Sequence, residues 1–406
     1  MLYFTNSYPF GLGEQWKTNE LKELVKYFDE IVVLPFSYGG NKIKTQDIPT
    51  NIQILDPLFE TDSFFLKKVD YFKIIFNKNC LKFINEFFIK QVYKKKARFV
   101  TWAIACKQAT RLVNHLTLKQ LLQQSNAETV WYFFWGKGTA EILPFVTIQS
   151  KKNIVVKLHG YDLYEEIYNG YFPFRDLLFQ KVDNILPISD DGVKYLLAKH
   201  PQISNKIILN RLGTQSDGSL SKPSSDGVFR VVSCSGLVEL KRVHLMIAAL
   251  PYIKVPIQWI HIGDGEQREQ LENLVKALDV QHLFHFEGFK KPSEVKIFYL
   301  SQSCDLFVNT SRTEGVPISI MEAFSVGIPV LATNVGGTSE IVDETVGGLM
   351  PENITPQELA NCITKFIELN VDVRTSYRQN AYQKFTTMCD AKYWANELGK
   401  ILTHKG

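Results

Sequence analysis

Apolar, β-branched and aromatic residues come in short runs along this chain. Each run is followed by a stretch whose apolar positions recur at helical spacing. In the first half the runs are LYFTN from Leu2, EIVVLPF from Glu30, TVWYFFW from Thr129, NIVVKLHG from Asn153 and NILPIS from Asn184. In the second half they are FRVVSCS from Phe229, IQWIHIG from Ile257, LFHFEG from Leu283, CDLFVNTS from Cys304 and IPVLATN from Ile328. Continuous apolar runs separated by helices predict parallel strands covered on both faces. Between the two sets lies SDGSLSKPSSDG, Ser216–Gly227, whose Ser, Gly, Asp and Pro give it the composition of a linker. The pattern therefore predicts an α/β protein with two doubly wound, Rossmann-like domains facing across a cleft. Residues 1–215 form the first and 228–385 the second, and a helix within 386–406 returns to the first. In such sheets ligands bind beyond the C-terminal ends of the strands.

Composition narrows this picture little. A chain of 406 residues is too long for one core and fits two domains of roughly 200 residues each. A net charge of +4 gives no general reason to expect nucleic-acid binding. Six cysteines are scattered without a CxxC pair, the usage of reduced thiols in a cytoplasm and not of a zinc site. The start, MLYFTNSYPF, lacks the basic and long apolar regions of a signal peptide, and no run reaches the roughly 18 apolar residues of a membrane span. A cytoplasmic protein is expected.

One insertion breaks the pattern. Asp62–Phe99 carries nine Lys and one Arg against three acids, with eight Phe interleaved largely at helical spacing. A basic amphipathic helix of this kind suits an anionic membrane surface, which would make the protein peripheral on the inner face of the cell membrane. The alternative is a helical pair that packs its Phe into the domain and shows its Lys to water.

The clearest chemistry lies in SRTEGVPISIMEAFSVGIPVLATNVGG, Ser311–Gly337. Pro317 suits the first turn of a helix, and Gly327 suits its end. Glu314 then sits in the loop ahead of the helix, and Glu322 about 7.5 Å along it. Between the acids, the free N–H groups of Gly315, Val316, Pro317's neighbour Ile318 and the positive helix end form an anion site. A ligand with hydroxyls at both ends and a phosphate in the middle fits, and a nucleotide sugar is such a ligand. Glu322 would accept from the ribose diol and Glu314 from a sugar hydroxyl.

This segment resembles the E-x7-E signature of retaining GT-B glycosyltransferases of family four, the group 1 glycosyl transferases of bacterial surface-polysaccharide synthesis. Three further segments agree in order. KLHGYDLYEE resembles the family's His-Gly-x-Asp segment, IHIGDGEQ its Gly-Asp-Gly turn, and SYPFGLGEQW its N-terminal glycine loop. The likeness is strongest over residues 230–345 and weakest over 56–125.

The resemblance implies a GT-B fold whose first domain binds the acceptor and whose second binds the donor. It implies donor contacts from Gly11 and Gly13, and from Gly263, Asp264 and Gly265. His159 would touch the donor sugar beside the reacting carbon, orienting it and stabilising charge, with Asp162 steadying its loop. SCSGLVELKRV matches the family's phosphate-binding Gly-Arg-Leu…Lys stretch, with Lys241 on the lysine position but Gly236 on the arginine position. Arg242, next in the chain, is expected to restore that charge. Arg211 is read first as structural, and Phe289 either lies against the base or packs in the core. Gly336 and Gly337 are expected to make a tight turn near the donor.

No DxD-type metal pair stands at a suitable place, and Asp190–Asp191 reads as a helix cap. The resemblance thus implies metal-independent transfer, without a cofactor, from a nucleoside diphosphate sugar to a saccharide acceptor, lipid-linked if the basic insertion meets a membrane. A front-face route and a covalent intermediate both stay open. So do a nucleotide-sugar epimerase and a non-catalytic nucleotide-sugar-binding protein on the same architecture. The sequence has no GxGxxG after its first strand, no GxSxG and no Walker A pattern.

Overall fold

A computed structural model of the chain describes residues 1–10, 14, 17–40, 42, 48–60, 79–148 and 153–403. Its contacts divide it into two compact units, Met1–Asn210 with Ala395–Gly406, and Arg211–Trp394. The division falls at Asn210, so the linker-like stretch 216–227 belongs to the second unit.

The first unit is a parallel six-stranded sheet: β1 (Leu2–Thr5), β2 (Ile31–Pro35), β3 (Ile52–Ile54), β4 (Trp131–Phe133), β5 (Ile154–Leu158) and β6 (Asn184–Pro187). The strand order is β3-β2-β1-β4-β5-β6. β4 and β5 are buried at every position, as strands covered on both faces must be. Helix α1 (Lys17–Leu24) follows β1. Farther on come α2 (Cys80–Ile89), α3 (Lys96–Asn114), the short α4 (Gly160–Leu163) and α5 (Asp190–Lys199). Phe4, Phe133, Val156, Leu143 and Leu178 share one apolar core.

The second unit repeats the plan with β7 (Phe229–Cys234), β8 (Ile257–Ile262), β9 (Phe284–Gly288), β10 (Leu306–Asn309), β11 (Val330–Thr333) and β12 (Gly347–Met350). Its order, β12-β11-β10-β7-β8-β9, is the same winding. Helices α6 (Val243–Ala249) and α7 (Ile318–Phe324) follow β7 and β10. Trp259, Leu306, Val308 and Ile363 lie in its core. A last helix, α8 (Ala391–Thr403), carries Ala395 onward into the first unit, where the Asn153 side-chain amide donates to the Leu402 carbonyl at 2.7 Å.

All ten apolar runs are strands. The two strands without such a run, β3 and β12, are sheet edges; β3 has no fully buried residue and β12 begins with two glycines. Of the basic insertion, residues 61–78 lie outside the described residues, and with them Lys67 and Lys68. In the described part, Phe83 is buried against Phe145 and Phe174, whereas Leu81, Ile84, Phe88 and Ile89 of α2 are exposed. The insertion therefore does both things its sequence suggested: one face packs inward and another, apolar face meets solvent beside Lys94, Lys95 and Lys96.

Candidate active site

In a sheet of this winding, the crevice opens where the strand order reverses. In the second unit that point lies between β7 and β10, so the loops after these strands must frame it. They are 235–242 and 310–317, the two segments read as chemical from the sequence.

The loops are laced together. The Arg312 N–H donates to the Leu240 carbonyl at 2.9 Å, and the Thr310 hydroxyl to the Lys241 carbonyl at 3.0 Å. Across the gap, Lys241 Nζ meets Glu314 Oε1 at 2.6 Å. Asn309 Nδ2 and the Ser311 hydroxyl donate to the same oxygen at 3.2 and 2.5 Å. One carboxylate oxygen thus takes three donors, which fixes the direction of the side chain. Neither Asn309 nor Ser311 was singled out from sequence; each is a polar residue at the end of an apolar strand, which is the signal available.

Helix α7 begins after Pro317, which caps it instead of opening its first turn, and Gly315, Val316 and Ile318 stand around that start. Its end falls as read, with Gly327 at φ +73°. The turn at Gly336–Gly337 leans on the Glu314 loop: the Gly337 N–H donates to the Gly315 carbonyl at 2.8 Å. Gly336 has φ +50°, and a Cβ there would stand 1.8 Å from the Glu314 carbonyl oxygen. Only glycine lets the two backbones approach so closely.

Glu322 is half-buried on α7. Burial alone pushes its carboxyl up to about 8, so at neutral pH it is largely protonated. Gly263, Asp264 and Gly265 form the turn after β8. Gly263 has φ +140° with Ser235 O only 1.9 Å from where a Cβ would be, and the Leu237 N–H donates to the Asp264 carbonyl at 3.0 Å. The turn therefore seats the loop after β7. Gly236 in that loop is open: a Cβ there would meet only Asp264 O, at 3.8 Å.

Two expectations are corrected. Arg242 does not replace the missing cation. Its backbone is left-handed at φ +50°, and its guanidinium turns inward to the carbonyls of Thr310, Ser311 and Glu352 at 2.6–3.0 Å. It clamps the loop and offers no charge to a ligand. Phe289 does not pack in the core; it is exposed. Arg211 pairs with Glu340 at 2.5 Å, with both side chains largely buried, and is structural.

The first unit brings a different chemistry to the end of β5. His159 is buried, its ring stacked on Phe134 (centroids 4.7 Å) and tilted against Trp135 (4.2 Å). Both ring nitrogens lack a partner among the described residues. Burial, reinforced by Lys157 and Lys17, holds its pKa well below the usual value, so the ring is neutral at physiological pH. Asp162 accepts from the N–H of His159 at 2.6 Å and of Gly136 at 2.5 Å, pinning two loops with one carboxylate. Burial raises Asp162 to about 6 against these N–H groups.

Below His159 runs a buried polar network that sequence reading missed. Glu14 pairs with Lys17 and accepts from the Ser7 and Tyr8 N–H groups and from the Trp135 indole. Lys157 pairs with Glu20 at 2.9 Å, and the Tyr3 hydroxyl donates to Glu20 at 2.8 Å. The available signal was Lys157 itself, a charge in the middle of an apolar run. Gly11 and Gly13 lie outside the described residues. Asp190 and Asp191 are not the cap of α5; the Ser189 hydroxyl is, accepting from the Gly192 N–H at 3.0 Å.

Residues 221–384 match the family model described as glycosyl transferases group 1. A protein of Salmonella typhimurium named as a colanic acid biosynthesis glycosyltransferase, WcaL, is 30% identical over 284 residues, 66% of this chain and 68% of its own. The chain belongs to the group 1 glycosyl transferases. Its chemistry is accordingly glycosyl transfer. Among solved structures, the apo lipopolysaccharide outer core galactosyltransferase WaaB superposes with a TM-score of 0.68 at 12% identity, covering 100% of this chain and 99% of its own. Anabaena HepE in complex with UDP-glucose gives 0.64 at 18%, covering 99% of each chain. Both likenesses are of fold, and the fold is GT-B. Among the described residues, no three His, Cys, Asp or Glu gather closely enough to hold a metal, and no helix is long and apolar enough to cross a membrane.

Proposed function

We propose that this enzyme is a retaining transferase that moves a hexosyl group from a nucleoside diphosphate sugar to a hydroxyl of a saccharide acceptor, in surface polysaccharide or lipopolysaccharide assembly. The observation that carries the reading is the Glu314 carboxylate, held by Lys241, Asn309 and Ser311 at the point where the strand order reverses. HepE's complex with UDP-glucose and the colanic acid role in WcaL's name support the donor and acceptor classes.

In this reading Glu314 holds hydroxyls of the transferred sugar and Glu322 those of the ribose. Lys241 and the N–H groups around Gly315 and Ile318 take the growing charge of the departing diphosphate. A preorganised lysine and backbone dipoles then do what a divalent cation does elsewhere. His159, neutral and with both nitrogens unengaged, offers a hydrogen bond to the sugar and not a full positive charge. Retention follows if the leaving phosphate takes the acceptor's proton on the face it departs from, or if a covalent intermediate forms first.

The acceptor is lipid-linked in this reading, and the exposed apolar face of α2 with Lys94, Lys95 and Lys96 lies on an anionic membrane. Removing those three charges should lower co-sedimentation with anionic vesicles and leave neutral ones unaffected; equal binding to both vesicle types by the wild type would refute it.

The test of the activity is to incubate the protein with UDP-, GDP- and dTDP-sugars, with and without acceptor glycans and in excess chelator. Acceptor-dependent nucleotide release with the anomeric configuration retained is expected. Sugar isomerisation without release would establish an epimerase, and tight donor binding with neither outcome a binding protein.

A further inference from the structure

The first unit contains a cavity of about 430 Å³ whose chemistry the donor reading does not use. That volume is within the roughly 300–1,000 Å³ of small-molecule sites. Three rings, Tyr161, Tyr168 and Phe172, line one part of it, with Lys137 Nζ standing 3.9 Å from the Tyr168 centroid, 5.3 Å from that of Tyr161 and 5.5 Å from that of Phe172. Elsewhere in the lining lie Glu141 and Gln108. Glu141 accepts from the Gly138 N–H at 3.0 Å. Gln108 is only 2% exposed, yet its side-chain oxygen has no partner among the described residues. A buried amide acceptor left open costs about 1–3 kcal/mol unless something fills it.

Flat apolar rings beside a carboxylate, an amide and an ammonium are the complement of a pyranose, which has an apolar C–H face and a rim of hydroxyls. One cation and one carboxylate leave the cavity close to neutral overall, so a sugar bearing its own charge gains nothing by entering. The cavity also shares an anchor with the transfer chemistry. Asp162 holds the N–H of Gly136, next to Lys137, and the N–H of His159, two residues before Tyr161.

We propose that this cavity seats a neutral pyranose of the acceptor, its C–H face on Tyr168 and Tyr161 and its hydroxyls on Glu141, Gln108 and Lys137. The proposal rests on the transferase reading for the word acceptor, but the cavity's ligand class does not.

Saturation-transfer NMR on the full chain tests it, with methyl glycosides of glucose, galactose, mannose and N-acetylglucosamine, with methyl glucuronide, and with UDP as the donor-site reporter. At least one neutral glycoside should bind, with transfer strongest on the ring protons of one face. Tyr168→Ala and the near-isosteric Glu141→Gln should each weaken it at least tenfold and leave UDP affinity within twofold. The proposal is overturned if no neutral glycoside binds, if the glucuronide binds more tightly than all of them, or if both variants keep wild-type affinity. It is equally overturned if UDP affinity falls together with glycoside affinity. UDP binding without glycoside binding would remove the cavity and spare the transferase reading; glycoside binding without UDP binding would do the reverse.

Discussion

Glu322→Gln should make the protein more stable and a poorer binder of donor, and the first effect should depend on pH. Burial raises the Glu322 carboxyl from 4.5 to about 8. The folded state therefore keeps a proton that the unfolded chain releases as pH climbs through this window. Stability from this group is complete below pH 4.5 and is lost progressively up to about pH 8. At about 1.36 kcal/mol per pH unit, the loss between pH 5 and 7 is at most about 2.7 kcal/mol. Glu322 is half-buried, so water relaxes part of this penalty, and about 1.5 kcal/mol is a fairer figure. Glutamine does not titrate. The Tm advantage of the variant should therefore widen by about 3–6 °C between pH 5 and pH 7, at roughly 2–4 °C per kcal/mol for a unit of this size. Calorimetric scans of both proteins at pH 5, 6, 7 and 8 measure it, and comparing the pair cancels every other titrating group. In parallel, UDP affinity should fall about tenfold as a charge-assisted bond to the ribose becomes a neutral one. Tm curves that run parallel from pH 5 to 8 would refute the burial argument.

Two glycines give further tests. Gly336→Ala places a left-handed Cβ 1.8 Å from the Glu314 carbonyl, so the Glu314 loop must shift; a loss of about 1–2 kcal/mol in stability and at least 10²-fold in turnover is expected, and unchanged turnover would detach that turn from the site. Gly236→Arg restores the family's cation at a position with room for it, and should strengthen donor binding about tenfold by isothermal titration; an intact fold with unchanged affinity would show that the side chain does not reach the phosphates.

What the sequence revealed and what it concealed divide along physical lines. Ten strands announced themselves because a strand covered on both faces must be apolar throughout, whereas the edge strands β3 and β12 are under no such demand. Glu314 and Glu322 could be placed because their relation is local, set by one loop and one helix. Arg242 was misread for the opposite reason. Counting along the chain puts it beside Lys241, but its left-handed backbone turns it through the loop to carbonyls about seventy and a hundred residues away. Nothing in the spacing of Lys241 and Arg242 specifies that turn.

The same division explains His159. Its place at a strand end was legible, and its ionisation was not, because four other segments decide it. Phe134 and Trp135 arrive from the end of β4, Lys17 from α1 and Lys157 from the middle of β5. Each of the lysines is held by an acid, Glu14 or Glu20, so the network keeps its positive charges at the price of two buried ion pairs. Such pairs are weak contributors to stability. Here they surround an imidazole whose two nitrogens are otherwise unclaimed, and the lysines resist its protonation. A residue that must present a neutral hydrogen-bonding face to a sugar is better served by that surrounding than by a solvated one. The buried charges of the first unit are then best understood as fixing the state of His159, and the fold carries them for that reason.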